Sequence, residues 1–374
     1  MIGGIPLNRR YRRAGIAFHP GVALHAEVAE SWNLPMAEVP FDSLLLVSFG
    51  GPEKREDVIP FLENVLRGRA VPRDRMLEVA DHYYHFGGQS PINDQNRELM
   101  RALEAELGGR LPVYWGNRNW HPFLTDALRE MAARGRRRAL AFITSAFSSY
   151  SGCRQYLEDI ERARAEVGAD TPAVERLRVF YNHPLFIATV SDRAQAAFAR
   201  IPEERRPAAH LVFTAHSIPA AMAETSDYVK QLEEAVSLVA ASLGRDDYHI
   251  VYQSRSGAPG QPWLGPDIVE ALGTLSGAKD VVAMPIGFVS DHMEVLYDLD
   301  TEARAAAEGM GLNLVRAETP GTHPTFVSMI IELIRERTDG WERRAVGRYG
   351  PAPDVCRADC CPGLKRAQPP ATRR

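Results

Sequence analysis

From residue 43 onward, short runs that are apolar at nearly every position alternate with longer stretches whose apolar residues recur at helical spacing. The runs cover 44–49, 111–115, 139–144 and 177–181, then 211–215, 248–252 and 281–286. A strand that is apolar at successive positions is buried on both faces, as in a parallel sheet covered by helices. Helical periodicity covers 94–107, 125–133, 228–243 and 324–337. Four runs followed by about three predict an α/β chain of two lobes, each a parallel sheet flanked by helices, with the boundary near residue 182. The expected division is an N-terminal extension over 1–40, a first lobe over 41–182 and a second over 183–320. A C-terminal helix at 321–340 and a tail at 341–374 complete it. The extension shows no period and ends on Pro35 and Pro40, and Met36 is an alternative start. Glycines and prolines after residue 340 mark the tail as irregular.

Composition narrows the class. The chain has 374 residues, more than one hydrophobic core usually serves, and is 45% hydrophobic and 25% charged, as soluble globular proteins are. A net charge of -4 gives no reason to expect a nucleic-acid partner. No apolar run approaches the roughly 18 residues of a membrane span. Arg9, Arg10, Arg12 and Arg13 precede a stretch broken by His19, Pro20 and His25, which lacks the apolar core of a signal peptide. The expected location is the cytoplasm. Of four cysteines, Cys356, Cys360 and Cys361 cluster near the C-terminus and Cys153 stands alone. In a cytoplasmic chain such a cluster points to a metal site before a disulfide framework.

Candidate chemistry falls at the ends of the runs. His216 follows the run 211–215, and residues at the carboxyl ends of parallel strands face the ligand crevice. By itself it serves equally well as a hydrogen-bonding strand cap. Glu294 closes the segment Gly287-Phe288-Val289-Ser290-Asp291-His292-Met293-Glu294, just after the run 281–286. Glu294, Asp298 and Glu302 are spaced i, i+4, i+8, so on a helix they form one row. No lysine or arginine interleaves, Arg304 being the nearest. Such a row suits a path for cations or protons, or else is a solvated acidic face. Gly87-Gly88-Gln89-Ser90-Pro91 makes a turn where backbone can approach a ligand, or a plain loop. Gln253-Ser254-Arg255 also follows a run and belongs at the crevice, whereas Trp263 nearby suits core packing as well. The turn Gly50-Gly51-Pro52 is not a dinucleotide fingerprint, and no phosphate-cradling lysine follows it.

In collinear order these segments resemble the ferrochelatase family. The likeness is carried by Leu46-Val47-Ser48-Phe49-Gly50-Gly51-Pro52, Gly87-Gly88-Gln89-Ser90-Pro91 and Thr214-Ala215-His216-Ser217-Ile218-Pro219. Tyr252-Gln253-Ser254, Pro262-Trp263-Leu264-Gly265-Pro266 and the stretch from Pro285 to Asp298 extend it, over about residues 42 to 337. The resemblance implies two Rossmann-like lobes around a porphyrin cleft, with the C-terminal helix packing back on the first. It implies a lyase of heme biosynthesis that inserts ferrous iron into a porphyrin with loss of two pyrrole protons. A histidine near neutral pKa suits the proton transfer, and imidazole and carboxylate suit ferrous iron. By resemblance, His216 and Glu294 are the catalytic pair and ligands of the incoming iron. Asp298 and Glu302 match an acidic path to it, and Ser90 and Tyr156 match residues that contact the porphyrin.

Likeness to actinobacterial members implies coproporphyrin III as the substrate, with protoporphyrin IX the alternative. Phe49 departs from bacilli-type members, which carry a tyrosine able to ligate iron, and His82 stands where they have an arginine. Some members hold a two-iron two-sulfur (2Fe-2S) cluster on four cysteines. Cys153, Cys356, Cys360 and Cys361 supply the number of thiolates it needs, although a four-cysteine zinc site or free thiols also fit. Rival readings are a tetrapyrrole or metal carrier without turnover and a chelatase for cobalt or nickel. A monomer or weak oligomer is expected.

Overall fold

The computed structural model describes residues 40–68, 71–256, 260–275 and 277–363. The extension expected over 1–40, save its last residue, lies outside these, as do Met36 and the end of the tail from 364.

Two parallel four-stranded sheets organise the chain. In the first, β1 (Ser43–Ser48) is buried at every position and lies between β2 (Val113–Asn117) and β3 (Arg138–Ile143). The short β4 (Ala173–Arg176) forms the edge beside β3. In the second, β5 (His210–His216) lies between β6 (Tyr248–Gln253) and β7 (Asp280–Met284), with β8 (Asn313–Arg316) outside β7. The orders β2-β1-β3-β4 and β6-β5-β7-β8 repeat one topology that the sequence does not repeat. Both faces are covered by helices, so these are two Rossmann-like lobes.

In the first half the helices are α1 (Val58–Val65), α2 (Arg73–His85), α3 (Ile92–Leu107), α4 (Leu124–Ala133) and α5 (Gln155–Val167). The second half has α6 (Pro184–Ala199), α7 (Ala220–Glu224), α8 (Tyr228–Ser242), α9 (Ile268–Leu272), α10 (Met293–Val295), α11 (Arg304–Gly309) and α12 (Pro324–Thr338). Both α6 and α12 begin on a His-Pro pair. The ring Nδ1 of His183 accepts from Leu185 N, that of His323 accepts from Thr325 N, and proline takes the first helical position, where its missing N–H costs nothing. α12 packs against both α6 and α3 and so spans the two halves.

Two strand expectations are corrected. The run 177–181 is buried but is not a strand. Leu177 N makes the last ladder contact, to Ala141 O at 2.9 Å, and the chain then leaves the sheet. Its burial comes from aromatic packing: Phe180 stacks on Phe142 and meets Phe186 of α6 and Phe326 of α12 edge-on. The edge strand is instead the more polar 173–176 just before it. β8 was not expected, because four residues at a sheet edge are too few to show a pattern.

Candidate active site

The order shared by both sheets places a topological switch point between their first and third strands, where connections leave in opposite directions and a crevice opens. In the second lobe this is the gap between β5 and β7. His216 ends β5, and the chain leaving β7 passes through Gly287 to Glu294. Gly287 lets the two strand ends meet. Its N–H donates to Thr214 O at 3.1 Å, and a Cβ there would lie 2.6 Å from Ala215 Cα. His216 Nε2 and Glu294 Oε2 come within 3.5 Å, and His292 Nδ1 lies 3.9 Å from the same oxygen. The other nitrogen of His216, Nδ1, lies 2.5 Å from Ser217 O, which assigns the proton to Nδ1 and turns Nε2 toward the carboxylate.

His216 and Glu294 keep 34% and 48% of their side-chain surface open to solvent although protein surrounds them, as befits groups lining a cleft. Burial by itself would depress His216, but the Glu294 carboxylate overrides it and the net shift is upward. Burial would raise Glu294, yet His216 and then His292 pull it down to about 2. Each partner therefore favours the charged form of the other, imidazolium beside carboxylate. Asp298 is pushed up to about 7, by burial first and by repulsion from Glu294 and Glu302, against hydrogen bonds from Ser254 and Gln253. Burial also raises Glu302, helped by Asp267. Asp298 therefore lies within electrostatic reach of both Glu294 and Glu302. The helix carrying them differs from expectation: 296–303 is a π-helix rather than an α-helix. Such wide turns are frequent at functional sites.

The acids are held by residues the sequence marked only as strand-end neighbours. Gln253, fully buried at the end of β6, accepts from Thr214 Oγ1 at 2.8 Å and donates Nε2 to Glu294 O at 3.1 Å and Asp298 Oδ2 at 3.3 Å. Ser254 holds a left-handed φ of 61° and donates Oγ to Asp298 Oδ2.

The first lobe forms the facing wall. Met293 is buried among Val58, Phe61, Met76 and Tyr83 of α1 and α2. Gln95 of α3 accepts from Asp291 N at 2.8 Å. His82 stacks on Tyr297 at 3.6 Å and 7°. Phe49, just past β1, is 36% exposed and meets Phe61 edge-on. Arg118 contacts the rings of both Phe49 and Tyr156. Tyr156 itself is 6% exposed and packs in the first-lobe core. Ser90 is 3% exposed and lies beneath Gly51, where a Cβ would come within 2.9 Å of its Oγ.

The sequence model described as Ferrochelatase matches residues 42–338. This chain belongs to the ferrochelatase family. A protein of Rhodopirellula baltica named ferrochelatase is 54% identical over 348 residues, covering 91% of this chain and 99% of that one. A coproporphyrin III ferrochelatase of Nocardia farcinica is 51% identical over 343 residues, covering 87% and 97%. One of Streptomyces griseus is 49% identical over 360 residues, covering 89% and 96%. Membership supports a metal-inserting lyase. Among the described residues no helix is long and apolar enough to cross a membrane.

In this ferrochelatase-family chain the four cysteines also come together. The tail folds back so that Arg176 NH1 donates to Cys153 Sγ at 2.5 Å and NH2 to Cys356 Sγ at 2.8 Å. Cys360 Sγ and Cys361 Sγ lie 3.5 Å apart. Cys356 is the acidic thiol, lowered to about 5 by its hydrogen bond with Cys153 and by Arg176, while burial pushes Cys361 up to about 12. Arg154 donates Nε to Cys360 O at 2.7 Å and also reaches Ala358 O. Among the described residues no group of three or more His, Cys, Asp or Glu side chains is arranged to hold a metal ion.

Proposed function

We propose that this protein is a ferrochelatase that inserts ferrous iron into coproporphyrin III, releasing two protons and giving iron coproporphyrin III. The carrying observation is the His216–Glu294 pair, 3.5 Å apart at the switch point of the second lobe and facing α1–α3 of the first. A carrier without turnover needs no base opposed to a carboxylate.

The chemistry follows from the residues. A porphyrin must lose its pyrrole protons as iron enters, and His216 Nε2 is the acceptor once its own proton has gone to solvent. Glu294, ionised at all ordinary pH, offers the carboxylate that replaces part of the water around the iron. Asp298 and Glu302 form the approach: Asp298, near 7, alternates between taking a proton and meeting a cation. Phe49 offers an exposed apolar face for the macrocycle, and the Ser90 turn and the Arg118–Tyr156 pair support that wall. Contact between the macrocycle and a rigid wall can drive the distortion that exposes its nitrogens. We assign the porphyrin to the cleft between a first lobe of 41–182 and a second of 183–320, with 321–340 and the tail bracing them from outside. The reaction belongs in the cytoplasm on this reading.

We also propose that Cys153, Cys356, Cys360 and Cys361 hold a two-iron two-sulfur cluster. Gathered soft donors around a buried guanidinium fit a group that carries net negative charge on four thiolates. When bound, the cluster supplies a covalent tie between tail and first lobe and a one-electron couple.

The deciding experiment is a turnover comparison of coproporphyrin III and protoporphyrin IX with ferrous iron under anaerobic conditions, read by loss of free-porphyrin fluorescence. Faster turnover of coproporphyrin III is expected. Preference for protoporphyrin IX would reassign the substrate, and porphyrin binding without insertion of any divalent metal would make the protein a carrier.

A further inference from the structure

The segment from Asp291 to Glu302 holds five carboxylates, Asp291, Glu294, Asp298, Asp300 and Glu302, and its only potential cation is His292. Glu294, Asp298 and Glu302 serve the metal site and its approach. Asp291 and Asp300 are held elsewhere. Arg316, at the end of β8, lays one edge of its guanidinium against Asp300, with Nε 3.0 Å from Oδ1 and 2.9 Å from Oδ2. Its other edge faces Asp291, with NH1 3.1 Å from Oδ1 and NH2 3.4 Å from Oδ2. Thr319 Oγ1 donates to Asp291 Oδ1 at 3.0 Å, and Arg304 reaches Asp300 Oδ1 at 3.1 Å. Arg316 is 14% exposed, so these ion pairs are only lightly screened.

We infer that Arg316 is a positioning residue for metal delivery: it sorts the five acids, binding Asp291 and Asp300 and leaving Glu294, Asp298 and Glu302 without an arginine partner, toward the cleft. Three observations carry this. Asp291 and Asp300 bracket Glu294 and Asp298 in the chain, so an arginine holding both fixes the ends of the loop and π-helix between them. The arginine stands on the sheet, paired in register with Ala283 of β7, and so refers that segment to the strand that leads into it. A planar guanidinium can grip two carboxylates along separate edges, which a lysine ammonium cannot do with defined direction. Gln253, Ser254 and Gln95 hold the same segment from the other sides, so the acids are framed on every flank.

The inference rests on the ferrochelatase reading, and its test separates the two. Wild-type turnover with ferrous iron is the control for the reading itself, and its absence would defeat the reading alone. Titration of the wild-type protein and its variants with Zn2+ alone, followed calorimetrically, reports on Arg316 whether or not turnover occurs. Arg316→Gln should raise the KM for iron and the Kd for Zn2+ at least tenfold, leaving the KM for porphyrin within about twofold. Arg316→Lys should behave like Gln. Because Arg316→Gln leaves two acids unpaired and could fold poorly, the triple variant Arg316→Gln, Asp291→Asn, Asp300→Asn is measured beside it. It should recover the melting temperature and keep the weakened metal affinity, since the charge is balanced but the frame is gone. Normal metal affinity in Arg316→Gln, full recovery of affinity in the triple variant, or an equal loss on porphyrin and metal would each overturn the inference.

Discussion

His216 and Glu294 set each other's charge, and this has a pH signature. His216 is raised above its ordinary 6.5 and Glu294 lowered to about 2, so the free pair is ionised between those limits. The pair's contribution to folding is lost as pH rises through the raised His216 value, and lost as pH falls below the ordinary carboxylate range toward 2. Iron can bind imidazole only after its proton leaves. The KM for iron should therefore fall as pH rises from 6 until His216 is neutral in the free enzyme, by up to about tenfold per unit. A flat KM across pH 6 to 8 would remove His216 from the metal site. His216→Ala should abolish insertion while porphyrin fluorescence is still quenched on binding, and Glu294→Gln should lower turnover severely. Asp298→Asn should be milder, visible at limiting iron, and should depend on pH in the opposite sense to a structural defect. Below about 7 the native Asp298 is largely neutral and resembles asparagine, so the penalty should be small at pH 6 and full at pH 8. An equal penalty at both would return the acidic row to a solvated face. His216 was singled out because it directly follows the run 211–215, and Glu294 because it ends the segment leaving the run 281–286 and opens the i, i+4, i+8 row of acids. Gln253 was placed at the crevice by the run before it, but its grip on Asp298, like that of Arg316 on Asp291 and Asp300, joins residues far apart in the chain, which no local pattern encodes.

Among the elements, the central strands were legible because burial on both faces makes them apolar without interruption. The edge strands were not, since an edge tolerates Glu175 and Arg176 in β4 and only four residues in β8. The acidic spacing announced a helix but could not announce its π turns, which depend on how 296–303 is held from outside. The junction of β5 and β7 makes a prediction at this scale. Gly287 sits where a Cβ would meet Ala215 Cα at 2.6 Å and Ala215 Cβ at 2.8 Å, backbone and near-backbone atoms that cannot swing away. Gly287→Ala should push the two strand ends apart by several tenths of an ångström, at a stability cost of about 1–3 kcal/mol. The larger effect should fall on turnover, because the displaced segment leads to Glu294 while His216 stays on β5. Steady-state kinetics and a melting curve on one preparation check this. Turnover intact despite a lowered melting temperature would show that the loop corrects itself before Glu294.

At the scale of the whole molecule the tail is a strap. Val346 N donates to Asn182 O at 2.9 Å, Asn182 Nδ2 to Tyr349 O at 2.8 Å, and Arg348 Nε to Glu234 Oε2 of α8 at 2.8 Å. Beyond these, Arg154 and Arg176 grip the segment 353–361 against the first lobe. The tail thus touches elements of both sheets' surroundings before its cysteines meet Cys153. That the four cysteines would converge followed from their number and the family likeness. That an arginine would stand among the sulfurs did not, since nothing in the sequence around Arg176 relates it to the cysteines. If the cysteines hold one cluster, they close a loop of about 200 residues, and such ties can stabilise by a few kcal/mol where the disulfide analogy holds. Cys153→Ser should therefore lose the visible charge-transfer absorption of protein purified without oxygen and lower the melting temperature by several degrees. The protein that stays folded should retain the His216–Glu294 pair and its Zn2+ affinity, because that pair lies on the second lobe. Iron and acid-labile sulfide in equal amounts are expected in the wild type. Zinc in their place would assign a zinc site on the four thiolates, and neither metal nor any change in melting temperature in Cys153→Ser would leave the strap to its hydrogen bonds and ion pairs alone.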